Sequence, residues 1–289
     1  VAANVDLDDN LELIAGYSVY KVSINNINGT VGNSMIPINL DFNGIYLDGF
    51  TSVADIDLDG KLDIIVTPRT KFDAAQNIDV GLYCYTIANN QAVLLAKIGI
   101  YKPNTTWDNS GTVSIAFNKS QNRMDLFCTV SGDNINEILS FSYDGTQTLK
   151  INWDFPVVDL NTFSGITLFD LNNDGELEIL YRDQNTFKII NFVNDIPILS
   201  YSFICDANTS GEYPVVADID NSGQAKICIP CGTDPIGSYG YLTIFGAPPG
   251  QQWAPARKIW NQYAYNPLFI NDDGSIPQFQ KNLATYQNG

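Results

Sequence analysis

Short apolar runs broken by turn residues recur along this chain. Branched apolar residues fill the runs, and Gly, Asn, Asp or Pro separates one run from the next, which is typical of β-strands. Stretches with a period of 3.6 residues are scarce, so we expect helices to be minor. The clearest predicted strands cover residues 62–66, 80–87, 93–100, 135–143, 177–181, 187–192, 227–230 and 242–245. The pattern predicts an all-β fold.

One polar pattern precedes several of these runs and divides the chain into repeats. Oxygen-bearing side chains occupy its positions 1, 3, 5 and 9, and a turn residue occupies position 6. We number its copies by position 1, the anchor: loop 1 (4–12), loop 2 (55–63), loop 3 (117–125), loop 4 (170–178) and loop 5 (218–226). The anchors are separated by 51, 62, 53 and 48 residues. A period of about fifty residues indicates propeller blades or a solenoid.

About four strands per repeat is the pattern of a β-propeller blade. We therefore predict β-propeller repeats over residues 1–250 and a closing segment over 251–289, which packs across the last blade and leads toward a further domain. Five anchors are too few for a closed ring. Blades before residue 1, or a last blade shared between the chain ends, would complete a ring, for example one of seven blades.

The spacing of oxygens suits a hard cation, because Ca²⁺ takes six to eight oxygen ligands from alternate residues of a tight loop. We expect about three structural Ca²⁺ sites, in loops 1, 2 and 4. Gly60 is expected to adopt a positive φ, with Asp9 in that role in loop 1. The apolar Ile56 and Leu58 are expected to anchor loop 2 to its blade. The predicted ligands are Asn4, Asp6, Asp8, Asn10 and Glu12; Asp55, Asp57, Asp59, the carbonyl of Lys61 and Asp63; and Asp170, Asn172, Asp174, Glu176 and Glu178.

Two other interpretations of these loops compete with a calcium site. An EF-hand needs a Glu at position 12, where this chain has Ala15, Val66 or Tyr181. Clusters of Asp and Asn also form turns without any ion. In loop 3 the ligands are lost. In loop 5, Lys226 stands where the closing carboxylate should be, so we expect no Ca²⁺ there and an ion pair from Lys226 to Asp218 or Asp220.

The composition of the chain argues against several classes of function. The formal net charge of −17 argues against binding to nucleic acid or to anionic membranes. The absence of His excludes a Ser-His-Asp triad and the usual zinc site. No apolar run approaches the length of about 20 residues that spans a bilayer, so no direct membrane insertion is expected.

The chain has five cysteines, an odd number, so at least one of them is unpaired. Cys205 is expected to pair with Cys228 or Cys231, while Cys84 and Cys128 are expected to be buried thiols.

The loops resemble the FG-GAP/VCBS repeat family, β-propellers typified by the integrin α-subunit head. The short lead-ins at 49–54, 163–166 and 214–217 belong to the same resemblance. The segment from Trp253 to Pro277 is similar to the one that follows such propellers in large secreted adhesins of gliding Bacteroidota. These resemblances imply structural calcium, export by a type IX-like route, and a cell-surface role in gliding or adhesion.

The leading functional hypothesis is a non-catalytic, extracellular calcium-binding module of an adhesin. It would bind other surface proteins or glycans within a longer polypeptide or assembly. A lectin is the alternative, with Trp107, Tyr239 and Tyr241 as its candidate platform. A calcium-dependent polysaccharide lyase is the third, for which Lys226 and Arg182 are taken as the only cations near the loops.

Overall fold

The chain is all-β, as its pattern predicts. The computed structural model describes residues 1–16, 18–38, 49–68, 81–99, 111–132, 135–206, 211–232, 240–261 and 265–284. These residues form nineteen strands in five antiparallel sheets and no helix. Accordingly, the described part of the chain contains no helix long and apolar enough to span a membrane.

Each sheet is a meander whose strands lie side by side in chain order. Four sheets have four strands, and the last has three instead of the expected four. The strands are β1 (Ala2–Ala3), β2 (Glu12–Ala15), β3 (Ser18–Ser23) and β4 (Ser34–Ile38) in sheet 1; β5 (Gly49–Ala54), β6 (Asp63–Pro68), β7 (Gly81–Ala88) and β8 (Gln91–Gly99) in sheet 2; β9 (Ser114–Asn118), β10 (Arg123–Gly132), β11 (Ile135–Ser142) and β12 (Lys150–Pro156) in sheet 3; β13 (Ile166–Phe169), β14 (Glu178–Arg182), β15 (Thr186–Val193) and β16 (Ile196–Ile204) in sheet 4; and β17 (Val215–Ala217), β18 (Lys226–Gly232) and β19 (Gly240–Phe245) in sheet 5.

Strand register is the same around all five loops, including loop 3 with its anchor at Phe117. In every sheet the residue before the anchor pairs with position 9 across the first hairpin. The pairs are Ala3 with Glu12, Ala54 with Asp63, Ala116 with Asp125, Phe169 with Glu178, and Ala217 with Lys226. Each numbered loop therefore connects the first two strands of its sheet.

Four apolar cores lie between successive sheets. Side chains alternate between the two faces of a strand, so sheets 2, 3 and 4 each contribute to two cores. Typical buried pairs are Ile14 with Ile64 between sheets 1 and 2, Leu82 with Phe141 between sheets 2 and 3, Ile138 with Tyr181 between sheets 3 and 4, and Phe187 with Ile229 between sheets 4 and 5. In loop 2, Ile56 and Leu58 pack into the second of these cores, as expected.

A repeated hydrogen bond joins the first strands of neighbouring sheets. The residue three positions before the anchor donates its hydroxyl to the carbonyl four positions before the next anchor. The bonds are Ser52 Oγ to Val113 O (2.6 Å), Ser114 Oγ to Ile166 O (2.6 Å) and Thr167 Oγ1 to Pro214 O. Sheet 5 has Val215 at this position, which has no donor.

The first strands of all five sheets line one cavity of about 670 Å³, together with residues of the closing segment. Trp253 and Trp260 pack against the core between sheets 4 and 5, which is the expected contact with the last repeat. Farther along, Leu268 and Phe269 enter the core between sheets 1 and 2. The closing segment therefore contacts both the last sheets and the first sheets.

A disulfide joins Cys205, just after β16, to Cys231 in β18. This is one of the two pairings that the sequence left open. Residues three apart on a strand point to opposite faces, so Cys228 and Cys231 cannot both face sheet 4. Cys228 is a half-buried thiol, and Cys84 and Cys128 are buried thiols as predicted.

We expect Thr167→Val to lower the free energy of unfolding by about 1–3 kcal/mol, because the buried Pro214 carbonyl loses its donor. Denaturant unfolding measures this. Thr30→Val, at an exposed turn, is the control and should stay within about 0.5 kcal/mol of the wild type. Equal stability of Thr167→Val and wild type would contradict a role for the inter-sheet bond.

We expect Cys231→Ser to lower the free energy of unfolding by about 3–4 kcal/mol, because the bond closes a loop with a sequence separation of 26. Reductant should destabilise the wild type similarly and leave Cys231→Ser unaffected. Cys228→Ser, which removes a free thiol, is the matched control. A Cys228→Ser variant as unstable as Cys231→Ser would show that the disulfide is not the cause.

Candidate metal centre

Loop side chains first fold the loops themselves. In loop 2, Asp55 accepts the N–H groups of Asp59 (3.0 Å) and Gly60 (2.9 Å), and Asp57 also accepts that of Asp59 (3.1 Å). Asp59 in turn accepts the N–H of Lys61 (2.8 Å). Loop 4 repeats the same set with Asp170, Asn172 and Asp174 as acceptors. These side chains therefore do form turns, and several carboxylates retain an oxygen for a cation.

The backbone reverses at positions 4 and 6. Gly60, Gly175 and Gly223 occupy position 6 with φ of 95°, 90° and 79°. The expectation for Asp9 is wrong, since it is not among the residues with positive φ. Such large values lie beyond the left-handed region that Asp tolerates. Position 4, which the sequence did not single out, is left-handed in four loops: Leu7, Leu58, Asn173 and Asn221, with φ between 59° and 63°.

Position 9 places a buried carboxyl at the start of the second strand in loops 1, 2 and 4. Each carboxyl accepts the N–H of position 2: Glu12 from Val5 (3.0 Å), Asp63 from Ile56 (2.9 Å) and Glu178 from Leu171 (2.6 Å). Burial, followed by the charges of neighbouring loop carboxylates, raises the pKa of Asp63 to about 8, of Glu12 to about 6 and of Glu178 to about 7. A buried negative charge is costly unless a positive charge lies beside it.

Loop 2 has the donor set that best fits a divalent cation. Oxygens of Asp55, Asp57 and Asp59 lie within 4.8 Å of one another. Asp63 is 0% exposed, and its Oδ1 has no hydrogen-bond partner among the described residues. Lys61 is exposed, with its Nζ 4.0 Å from Asp59. Four carboxylates without an inserted cationic side chain match the oxygen chemistry of Ca²⁺.

Loop 1 brings Asp6, Asp8 and Glu12 within 4.8 Å, but it also receives a lysine. Lys21 donates to Asp8 (3.1 Å) and to Asp6. Lys21 pairs with Glu12 across the β2–β3 hairpin, so only the hairpin register reveals it. The Glu12 Oε1 and Asn4 Oδ1 atoms are buried and have no partner among the described residues.

The remaining predicted ligands of loops 1 and 4 make hydrogen bonds within or beside their loops. In loop 1, the N–H of Asn10 donates to Asp8 (2.7 Å), so Asn10 takes part in the turn.

In loop 4, side-chain amides donate to carboxylate oxygens that the turn leaves free. Asn172 donates to Asp174 (2.9 Å), and Asn191 donates to Glu178 (3.5 Å). Glu176 is exposed, and its N–H donates to Asp174 (2.9 Å).

Basic side chains take the place of a cation in loops 3 and 5. Arg123 donates to Asp125 (2.6 Å) and to Asp195 of sheet 4 (2.7 Å). Lys226 pairs with Asp220 (3.3 Å), the second of its two expected partners. The prediction that Lys226 and Arg182 are the only cations near the loops is therefore wrong, because Arg123 lies in loop 3 and the side chain of Lys21, on β3, reaches loop 1. Arg182 is buried and lies 3.2 Å from Glu212.

The aromatic platform is described only in part. Tyr241 is 59% exposed on β19, the edge strand of sheet 5. Trp107 and Tyr239 lie outside the described residues.

Comparisons with known proteins bear on the fold. No protein-family model matches the chain, and no curated protein sequence matches it. The resemblance to FG-GAP/VCBS repeats therefore stays a prediction. The crystal structure of the V. cholerae biofilm matrix protein Bap1 is similar, with a TM-score of 0.54 and 15% sequence identity, covering 98% of this chain and 74% of that chain. At this identity the likeness shows a shared all-β fold.

We expect Leu7→Asn to raise the free energy of unfolding by about 1 kcal/mol, because Asn adopts the left-handed region at lower cost than Leu. Leu7 is 55% exposed, so little packing is lost. Leu58→Asn is the matched comparison and should lower stability, since Leu58 packs against the core between sheets 2 and 3. Denaturant unfolding of both variants checks this, and destabilisation by Leu7→Asn would contradict it.

Proposed function

We propose that this chain is a non-catalytic, calcium-stiffened β-propeller module of an extracellular adhesion protein. The observation that carries the proposal is loop 2, where a fully buried carboxyl without a partner lies beside three clustered carboxylates. Asp55, Asp57, Asp59 and Asp63 would hold Ca²⁺, with the carbonyl of Lys61 as a further ligand. The ion would offset part of the negative charge of the loop and so fix the hairpin that begins its sheet.

The arrangement of the sheets supports the propeller part of the proposal. Five meanders pack in chain order through four shared cores. Their first strands contribute to the lining of one cavity, and a repeated hydroxyl-to-carbonyl bond connects neighbouring sheets. Four-stranded sheets repeated around a central channel are typical of propellers.

An extracellular setting is supported by two further observations. The Cys205–Cys231 disulfide suits an oxidising compartment. The structural neighbour Bap1 is named as a biofilm matrix protein. We therefore propose other surface proteins or glycans as partners, with the module working inside a longer polypeptide. The charge of −17 disfavours nucleic acid as a partner.

The surroundings of the loops favour a structural ion over a catalytic one. A lyase needs a basic side chain that is available beside the metal. Lys21, Arg123 and Lys226 each lie in ion pairs with loop carboxylates. These cations thus balance charge in the loops.

We expect Ca²⁺ to raise the melting temperature by several degrees, since an ion at 100 times its Kd contributes about 2.7 kcal/mol. Asp59→Ala should remove the part of this shift that loop 2 contributes, so its melting temperature should depend less on Ca²⁺ than that of the wild type. Calorimetry of both proteins measures this.

The matched control is Asp154→Ala, an exposed carboxylate on β12 outside the loops. It should keep the whole Ca²⁺-dependent shift. Identical wild-type melting curves in Ca²⁺ and in chelator would refute the calcium proposal.

A further inference from the structure

A short segment near the end of the described chain lies against loops 1 and 2 together. We name residues 277–284 the strap. Three of its amide side chains, on every second residue, make hydrogen bonds to the loops. Leu283, between the last contact and the end of the strap, packs against the core of sheets 1 and 2 and that of sheets 2 and 3. The strap therefore holds together two neighbouring repeats.

Two strap residues bind the main chain of loop 1. Gln278 Nε2 donates to the carbonyl of Asp9 (2.6 Å), which is position 6 of the loop. Gln280 Oε1 accepts the N–H of Asn4, the anchor (3.0 Å). Gln280 is itself held through its Nε2, which donates to Pro277 O (2.8 Å). These bonds hold positions 1 and 6 of loop 1 through the main chain and leave the side-chain oxygens of the loop unused.

The third strap residue binds a predicted ligand of loop 2 directly. Asn282 Nδ2 donates to Asp55 Oδ2, which also accepts the N–H of Gly60 (2.9 Å). The other oxygen, Oδ1, accepts the N–H of Asp59 (3.0 Å). Asn282 is held in turn by the N–H of Ala284, which donates to its Oδ1 (2.9 Å). The Asp55 carboxylate is therefore oriented from both sides.

We propose that the strap forms an outer shell shared by the two loops and that Asn282 is a positioning residue for the cation of loop 2. This inference rests on the proposed calcium function, for which the fully buried, unpartnered Asp63 Oδ1 is the independent sign of a ligand. Groups that hydrogen-bond to a metal ligand fix its orientation, and their loss typically costs 10–100-fold in metal affinity.

Coupling between ion and strap must act in both directions. Without the ion, repulsion among the carboxylates of loop 2 would weaken the hydrogen bond between Asn282 and Asp55. With the ion, the acceptor is held in place and the strap binds more tightly. Thermodynamic linkage requires that the strap increase ion affinity by the same factor by which the ion stabilises strap docking.

Loop 4 offers an internal control. The closing segment reaches it at a different point, where the N–H of Ala254 donates to Leu171 O (2.8 Å). The loop contacts of Gln278, Gln280 and Asn282 described above are all with loops 1 and 2. Loss of the Asn282 amide should therefore leave Ca²⁺ binding by loop 4 unchanged.

The test uses the full chain in two backgrounds. Asp8→Asn with Asp174→Asn weakens loops 1 and 4 and isolates loop 2, while Asp8→Asn with Asp59→Asn isolates loop 4. Calorimetric titration with Ca²⁺ then measures the Kd with and without Asn282→Ala. We expect Asn282→Ala to raise the Kd of loop 2 at least tenfold and to leave the Kd of loop 4 unchanged.

Amide hydrogen exchange of residues 277–284 provides a second readout that needs no strap variant. Ca²⁺ should slow this exchange where loop 2 is intact and have no such effect where only loop 4 is intact. This comparison decides the proposal even if Asn282→Ala perturbs folding. A purely structural strap would exchange at the same rate with and without the ion.

The outcomes distinguish the strap proposal from the calcium proposal on which it rests. If the wild type binds no Ca²⁺, both the proposed function and the strap proposal fail. If loop 2 binds Ca²⁺ with a Kd that Asn282→Ala does not change, or the exchange of the strap ignores the ion, only the strap proposal fails.

Discussion

Packing between neighbouring sheets is the interaction on which the rest of this structure depends. A sheet of three or four short strands has two faces, and it cannot bury either of them alone. Here sheets 2, 3 and 4 share cores on both sides. The hydroxyls of Ser52, Ser114 and Thr167 add a directional contact, because each reaches the main chain of the following sheet. These bonds help to set the positions of the first strands of sheets 2 to 5 relative to one another, and with them the positions of loops 2 to 5.

The five loops share one spacing, but they differ in how the negative charge of the carboxyl at position 9 is compensated. Arg123 balances loop 3, and loop 5 replaces the carboxyl itself with Lys226. Lys21 enters loop 1 from the neighbouring strand, while amides contact the oxygens of loop 4. In loop 2 the Asp63 oxygen has no such partner within the described residues. Of these loops, loop 2 therefore fits the proposed cation best, although the sequence pattern made loops 1, 2 and 4 look alike.

The closing segment gives the row of sheets a second kind of connection. Its aromatic residues pack beside sheets 4 and 5, and its later residues enter the core of sheets 1 and 2. In a simple repeat array each unit contacts only its neighbours, so stability is close to a sum of local terms. A segment that contacts both the first and the last sheets adds a long-range term. The strap extends this connection to the loops, where the proposed ions would bind.

Local chemistry in the sequence was enough to predict the all-β class, many of the strands and the glycine turns at position 6, but it missed the left-handed position 4 and assigned Asp9 wrongly. Alternation of apolar residues and the φ preference of Gly60 act over a few positions, and the register of every first hairpin agrees with the frame read from the chain. Tertiary structure alone decided which faces meet. It chose Cys231 over Cys228, because only one of them points to sheet 4. It also brought Lys21 to loop 1 and Asn282 to Asp55. Such contacts join residues distant along the chain, whose approach depends on hairpin register and sheet packing that no local pattern encodes.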